Sequence, residues 1–158
     1  MTVSTKTSAL AGSVIKAILI TGLVAGTLDA TAAIVIYKVN PISLFKFIAS
    51  GAFGKVAFSE GAFMVFFGVI AHYFIAYSWT SLYFLIFPKI KALPGNKYSN
   101  GVLYGTIIWM VMNLIVVPLS KIPSGAFYWD KAIVSILILI FMVGLPITIL
   151  AHRYYGVR

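Results

Sequence analysis

The chain has 158 residues, 61% of them hydrophobic and only 9% charged, with three acids, twelve bases and a net charge of +9. Ordinary soluble domains are about a quarter charged, so this composition excludes a soluble globule, whose surface it could not cover. The bases flank apolar runs instead of forming a stripe among aromatics, which excludes a nucleic-acid surface and suits helix ends beside anionic headgroups.

Four apolar runs, residues 14–39, 61–87, 101–119 and 132–151, follow one another along the chain. Each has the roughly 20 residues needed to cross about 30 Å of hydrocarbon. They predict an all-α membrane protein: one domain over residues 1–158, with four transmembrane helices. Lys6 and Lys16 precede an apolar stretch, and Ala30-Thr31-Ala32 resembles a signal-peptide cleavage site. Asp29, and the apolar continuation through Ile34 to Tyr37, favour a retained helix. Residues 40–60 are apolar but too short to span. They predict either an interfacial helix, with Phe45, Phe47 and Ile48 in lipid and Lys46 in water, or a re-entrant turn lining a cavity. The second run is long enough to tilt. In the fourth, Gly144 and Pro146 predict a kink, and His152, Arg153, Tyr154 and Tyr155 beyond it read as an interfacial anchor.

The first and third runs share a GxxxGT motif, at Gly22–Thr27 and at Gly101–Thr106. Each is followed by a proline-containing connection, a Ser-Gly-Ala-Phe (Ser50 to Phe53 and Ser124 to Phe127) and another helix. Two helix–loop–helix halves related by an axis along the membrane normal would give this pattern. Small residues four apart let backbones approach closely. Gly22 with Gly26, and Gly101 with Gly105, are therefore expected to face each other or a second subunit, and a homo-oligomer follows. With four spans both termini share one side. That side collects seven bases (Lys6, Lys16, Lys89, Lys91, Lys97, Arg153, Arg158) against five on the other (Lys38, Lys46, Lys55, Lys121, Lys131). The excess places both termini in the cytoplasm.

Three strongly polar side chains interrupt the apolar runs: Asp29, His72 and Asn113. An ionisable group inside a membrane segment is expensive and marks a functional site by default. At about 1.5 Å of rise per residue, Asp29 and His72 differ in depth by about 4 Å. The three are expected to meet inside the bundle, with Thr27, Thr31 and Ser78 completing a network in which a His donor and an Asn amide satisfy the carboxylate. Such a network serves a proton or ion pathway, fixes helix register without moving anything, or supports catalysis. No P-loop, HExxH or GxSxG is present, and Ser13-x-x-Lys16 and Ser43-x-x-Lys46 lack the partners a serine–lysine site needs. No cofactor or metal ligand set is expected, and the absence of cysteine removes disulfides and thiolate sites.

Gly26-Thr27-Leu28-Asp29-Ala30, then Ile48-Ala49-Ser50-Gly51 with Gly54, Gly68 with His72, and Met112-Asn113 with Pro118-Leu119-Ser120, resemble the YagU-like group of small bacterial inner-membrane proteins. The resemblance covers about residues 20–150. It implies four helices and an inner-membrane location, and no assigned chemistry. The leading expectation is a channel- or transporter-like protein in the lipid bilayer, moving protons, ions or a small solute. A structural or partner-binding subunit is the second expectation, and an intramembrane enzyme using Asp29 and His72 the third.

Overall fold

A computed structural model describes residues 3–88, 96–123 and 128–156, with side chains from residue 13 onward. The Ser-Gly-Ala-Phe at Ser124 to Phe127, and Lys89, Lys91 and Arg158 of the charge count, lie outside the described residues. The described residues contain helices and no strand. Four helices are long and apolar enough to cross a membrane: Ser13–Tyr37 (the apolar part of a helix that starts at Val3), Ala62–Ile86, Lys97–Leu119 and Trp129–Tyr155. The chain is thus an all-α, four-helix membrane protein. Its spans alternate in direction, so Tyr37, Ala62, Leu119 and Trp129 lie toward one end of the bundle, called here the distal end. Ser13, Ile86, Lys97 and Tyr155 lie toward the other, called here the terminal side.

Local chemistry sets several boundaries. The Asn96 side chain accepts hydrogen bonds from the backbone N–H of Tyr98 and Ser99, both at 3.0 Å, so the third helix begins at Lys97, ahead of its apolar run. Asn40 accepts from Ile42 N–H at 2.8 Å, and Pro41 occupies the first turn of the short helix Pro41–Phe53. Gly54, at φ 62°, ends that helix. The third and fourth spans both widen into π-helix, over Met112–Val116 and Leu139–Gly144. Each stretch is followed within two residues by a proline, Pro118 or Pro146. Proline offers no N–H, and its ring displaces the carbonyl four residues earlier, which here is Leu114 or Met142, inside the π stretch. The irregularity expected at Gly144 and Pro146 therefore takes the form of a π segment within a continuing helix.

The glycine strips pack differently from the expectation. Gly22 lies under the ring of Tyr77, and a Cβ on Gly26 would sit 3.1 Å from Ala76 Cβ and from the Tyr73 ring, so the first strip receives the second span. A Cβ on Gly105 would come 2.6 Å from Ile140 Cα, one on Gly101 3.0 Å from Leu145 Cα, and one on Gly144 2.8 Å from Gly105 Cα. The second strip thus receives the fourth span. Each strip is consumed within its own half of the chain, so the two neither face each other nor remain for a second subunit. A duplicated helix pair would use its glycines in this same way twice. Trp109 Nε1–H donates to Ser135 Oγ at 2.7 Å and Thr148 Oγ1–H to the Lys97 carbonyl at 3.0 Å, tying the third and fourth spans further. The first and fourth spans also pack directly. The second and third meet through large side chains: Tyr104 donates its hydroxyl to the Trp79 carbonyl at 2.6 Å and stacks obliquely on Tyr83.

The half of the bundle nearer the termini holds an apolar core beside an apolar groove of about 230 Å³ between the second and third spans. Ala25, Phe84, Phe87, Ile108, Val143, Ile147 and Ala151 form one buried cluster. His152 is buried there, its Nδ1–H donating to the Thr148 carbonyl at 2.8 Å and its ring 4.6 Å from that of Phe87. Tyr155 donates its hydroxyl to the Phe84 carbonyl at 2.9 Å. His152, Tyr154 and Tyr155 therefore close the core instead of forming the expected interfacial anchor; only Arg153 is exposed.

The short helix runs antiparallel to the second span: Phe45 meets His72, and Phe53 meets Phe67 at 4.8 Å. Gly68 permits this, because a Cβ there would drive into the backbone of Phe45. At Gly51 a Cβ would meet only Ser120 and Ile122, at 3.8 and 3.9 Å. Gly68→Ala is accordingly expected to destabilise the detergent-solubilised protein by about 1–3 kcal/mol or more and so lower its thermal midpoint, whereas Gly51→Ala leaves the midpoint unchanged. Equal midpoints for the two variants would contradict this packing.

Candidate functional site

Above Ile108 and Val143, where the buried cluster stops, the bundle opens into a partly open cavity of about 320 Å³. All four spans contribute to its wall: Gly26 and Asp29 from the first, His72, Ala76 and Trp79 from the second, Met112, Asn113 and Val116 from the third, and Leu139 and Val143 from the fourth. The short helix supplies a further side with Leu44, Phe47, Ile48 and Gly51. Lys121 N–H donates to the Gly51 carbonyl at 2.9 Å, fastening that helix to the distal end of the third span. Both π segments reach the wall, through Met112, Asn113 and Val116 and through Leu139 and Val143. π segments inside helices are frequent at functional sites.

Of the two sequence readings of residues 40–60, the segment lines a cavity as the re-entrant reading expected, but as a helix and not as a turn. Phe45 and Ile48 turn toward the protein: Phe45 is half-buried with its ring 6.1 Å from that of His72, and Ile48 lines the cavity. Phe47 is partly exposed on the cavity wall. Lys46 is half-buried, its Nζ donating to the Phe58 carbonyl at 3.3 Å.

Asp29, His72 and Asn113 all line the one cavity, from three different spans. Their bonding differs from the expected network. His72 Nε2–H donates to the Gly26 carbonyl at 2.8 Å. A carbonyl can only accept, so Nε2 of this ring carries a proton. Asn113 Nδ2–H donates to the Trp109 carbonyl of its own helix at 3.0 Å. Asp29 accepts no hydrogen bond from any described residue, although His72 lies within electrostatic reach. Thr27 is exposed and shares a hydrogen bond of 2.9 Å with the Tyr73 hydroxyl; Thr31 is exposed; Ser78 donates to the Phe74 carbonyl of its own helix. None of these three lines the cavity. His72 and Asn113 are thus turned onto backbone carbonyls, and Asp29 stands in a wall that is otherwise almost entirely apolar.

Sequence reasoning missed Phe47, Ile48, Trp79 and Met112 as parts of the site. Apolar residues in apolar runs give no signal of which ones face a cavity, and only Pro118 and Pro146 hinted at the π segments. No group of three or more His, Cys, Asp or Glu side chains converges among the described residues, so these residues assemble no metal centre.

Searches with this chain against protein-family models, curated proteins and solved structures find no match. Fold and cavity by themselves define the class: a small integral membrane protein of four spans, with an internal cavity bearing one carboxylate.

Proposed function

We propose that the protein is a small membrane carrier, which holds a solute in its central cavity and presents it to one side of the membrane at a time. One observation supports this reading above the others. The cavity runs from the distal end to the middle of the bundle and stops on Ile108 and Val143, with Phe84, Phe87 and Ile147 packed beyond. A static pore needs a continuous polar path, which this buried apolar cluster interrupts. A purely structural polar cluster would have its members bonded to one another, whereas His72 and Asn113 bond to backbone. An acid–base enzyme pair would place Asp29 and His72 in hydrogen-bond contact, and they share no such bond among the described residues. The two π segments that border the cavity are the natural places for the third and fourth spans to flex.

The YagU-like resemblance supports a bacterial inner membrane as the location, and the seven-to-five distribution of bases supports cytoplasmic termini. Reporters fused after Arg158 and within residues 89–100 are both expected to read cytoplasm; a periplasmic signal from either contradicts that orientation. A homo-oligomer would have to form through faces other than the glycine strips, since these are already covered. The carrier itself is tested by flux into proteoliposomes across a panel of protons, inorganic ions and small organic solutes. Saturable uptake of one solute class is expected. Conductance that rises without saturation, or no flux for any class, contradicts the proposal.

A further inference from the structure

We infer that the cavity is a binding site for a small amphiphilic ammonium ion, with its charged head on Asp29 and its apolar body against the surrounding wall. This inference rests on the carrier reading and names its ligand class. The carboxylate is the one acidic group on the wall, and no Lys or Arg accompanies it there. The polar side chains beside it on the wall donate to backbone and not to it: His72 Nε2–H to the Gly26 carbonyl and Asn113 Nδ2–H to the Trp109 carbonyl. A carboxylate in an apolar enclosure is costly unless a cation or donor meets it. An ammonium group brings both, and a charge-assisted hydrogen bond of this kind is among the strong ones. An anion would meet repulsion from Asp29 and find no fixed base.

The wall also selects the rest of the ligand. Phe47 and Trp79 offer aromatic surfaces for the apolar body. An inorganic divalent ion would want six or more oxygen ligands, which this wall does not supply. The volume of 320 Å³ lies at the small end of ligand cavities, which run from about 300 to 1,000 Å³. A single aromatic ring with a short ammonium tail fits that scale.

The test uses the full chain in nanodiscs, with protein-free nanodiscs as the partition control. Binding of phenethylamine, phenethyl alcohol and phenylacetate is followed by calorimetry and by the fluorescence of the chain's three tryptophans, one of which, Trp79, lines the cavity. The amine is expected to bind about tenfold or more tighter than the alcohol, with phenylacetate weakest. Asp29→Asn is expected to remove the preference for the amine and leave the affinity for the alcohol in place. Equal binding of amine and alcohol by the unaltered chain overturns the inference, and needs no variant to fold. So does amine binding that Asp29→Asn leaves unchanged, or no amine binding in the millimolar range. Saturable flux of the alcohol with no preference for the amine overturns the ligand class while sparing the carrier. Asp29-dependent amine binding without any flux confirms the ligand class and overturns the carrier.

Discussion

Gly105→Leu is expected to abolish folding and not merely assembly. The third and fourth spans approach so closely that a Cβ on Gly105 would lie 2.6 Å from Ile140 Cα and 2.9 Å from the Leu139 carbonyl oxygen. Overpacking a core costs about 1–3 kcal/mol where neighbouring side chains can give way. Here the neighbour is backbone, already widened into π-helix over Leu139–Gly144, and no side-chain rotation relieves the clash. The cost therefore exceeds that range and is large against a typical stability of about 5–15 kcal/mol. Gly22→Leu is the informative comparison. Its neighbour is the ring of Tyr77, which can swing aside, so a folded but weakened protein is expected. Size-exclusion profiles and thermal midpoints in detergent read both outcomes. A Gly105→Leu variant that elutes and melts like the parent contradicts the packing. A variant that folds but changes only its oligomeric size would return this glycine to a subunit interface.

The second large effect is expected at Asp29, where stability and activity should move apart. A carboxylate that helped hold the helices together would leave a broken network when changed, at a cost of about 3–5 kcal/mol for a buried charge cluster. Asp29 accepts no hydrogen bond from the described residues, so Asp29→Asn replaces an acidic group in an apolar wall and breaks no bond seen there. Its stability is expected to equal that of the parent or to exceed it by about 0.5–2 kcal/mol, as when a functional group held at a cost to stability is removed. Solute flux is expected to disappear. His72→Ala is the contrast: losing the bond to the Gly26 carbonyl should destabilise by about 1 kcal/mol. Thermal unfolding of the two variants side by side decides the matter. Marked destabilisation by Asp29→Asn, with flux intact, would make the cluster structural.

The four spans were legible because hydrophobic length alone identifies them, and no other element competes for runs of about 20 apolar residues. Asp29, His72 and Asn113 stood out for the converse reason, as polar groups in such runs, and the helix rise was enough to place them at compatible depths. Their bonding was not legible. His72 reaches the Gly26 carbonyl across a helix contact that Gly26 itself makes possible by lacking a side chain, so both the partner and the contact depend on packing. The GxxxG strips announced close approach but carry no information about which helix approaches. Residues 40–60 were ambiguous because Phe45 and Ile48 are equally suited to lipid and to a protein wall. Gly68, whose bare surface admits the short helix, is one glycine among thirteen. The π segments depend on hydrogen-bond register, of which Pro118 and Pro146 give only the position of a defect.

The central claim is that the cavity is a compartment which solutes enter from alternate sides, and the absence of cysteine from the chain makes it directly testable. A single Met112→Cys variant places one thiol on the cavity wall, beside Asn113 and the start of a π segment. In proteoliposomes of known orientation, a membrane-impermeant thiol reagent is applied to each face separately, with and without phenethylamine. Labelling is expected from the distal side, from the terminal side as well once the protein cycles, and protection from both sides when the cavity is occupied. A thiol that reacts from neither side, or whose reactivity ignores the amine while flux proceeds, would contradict the claim.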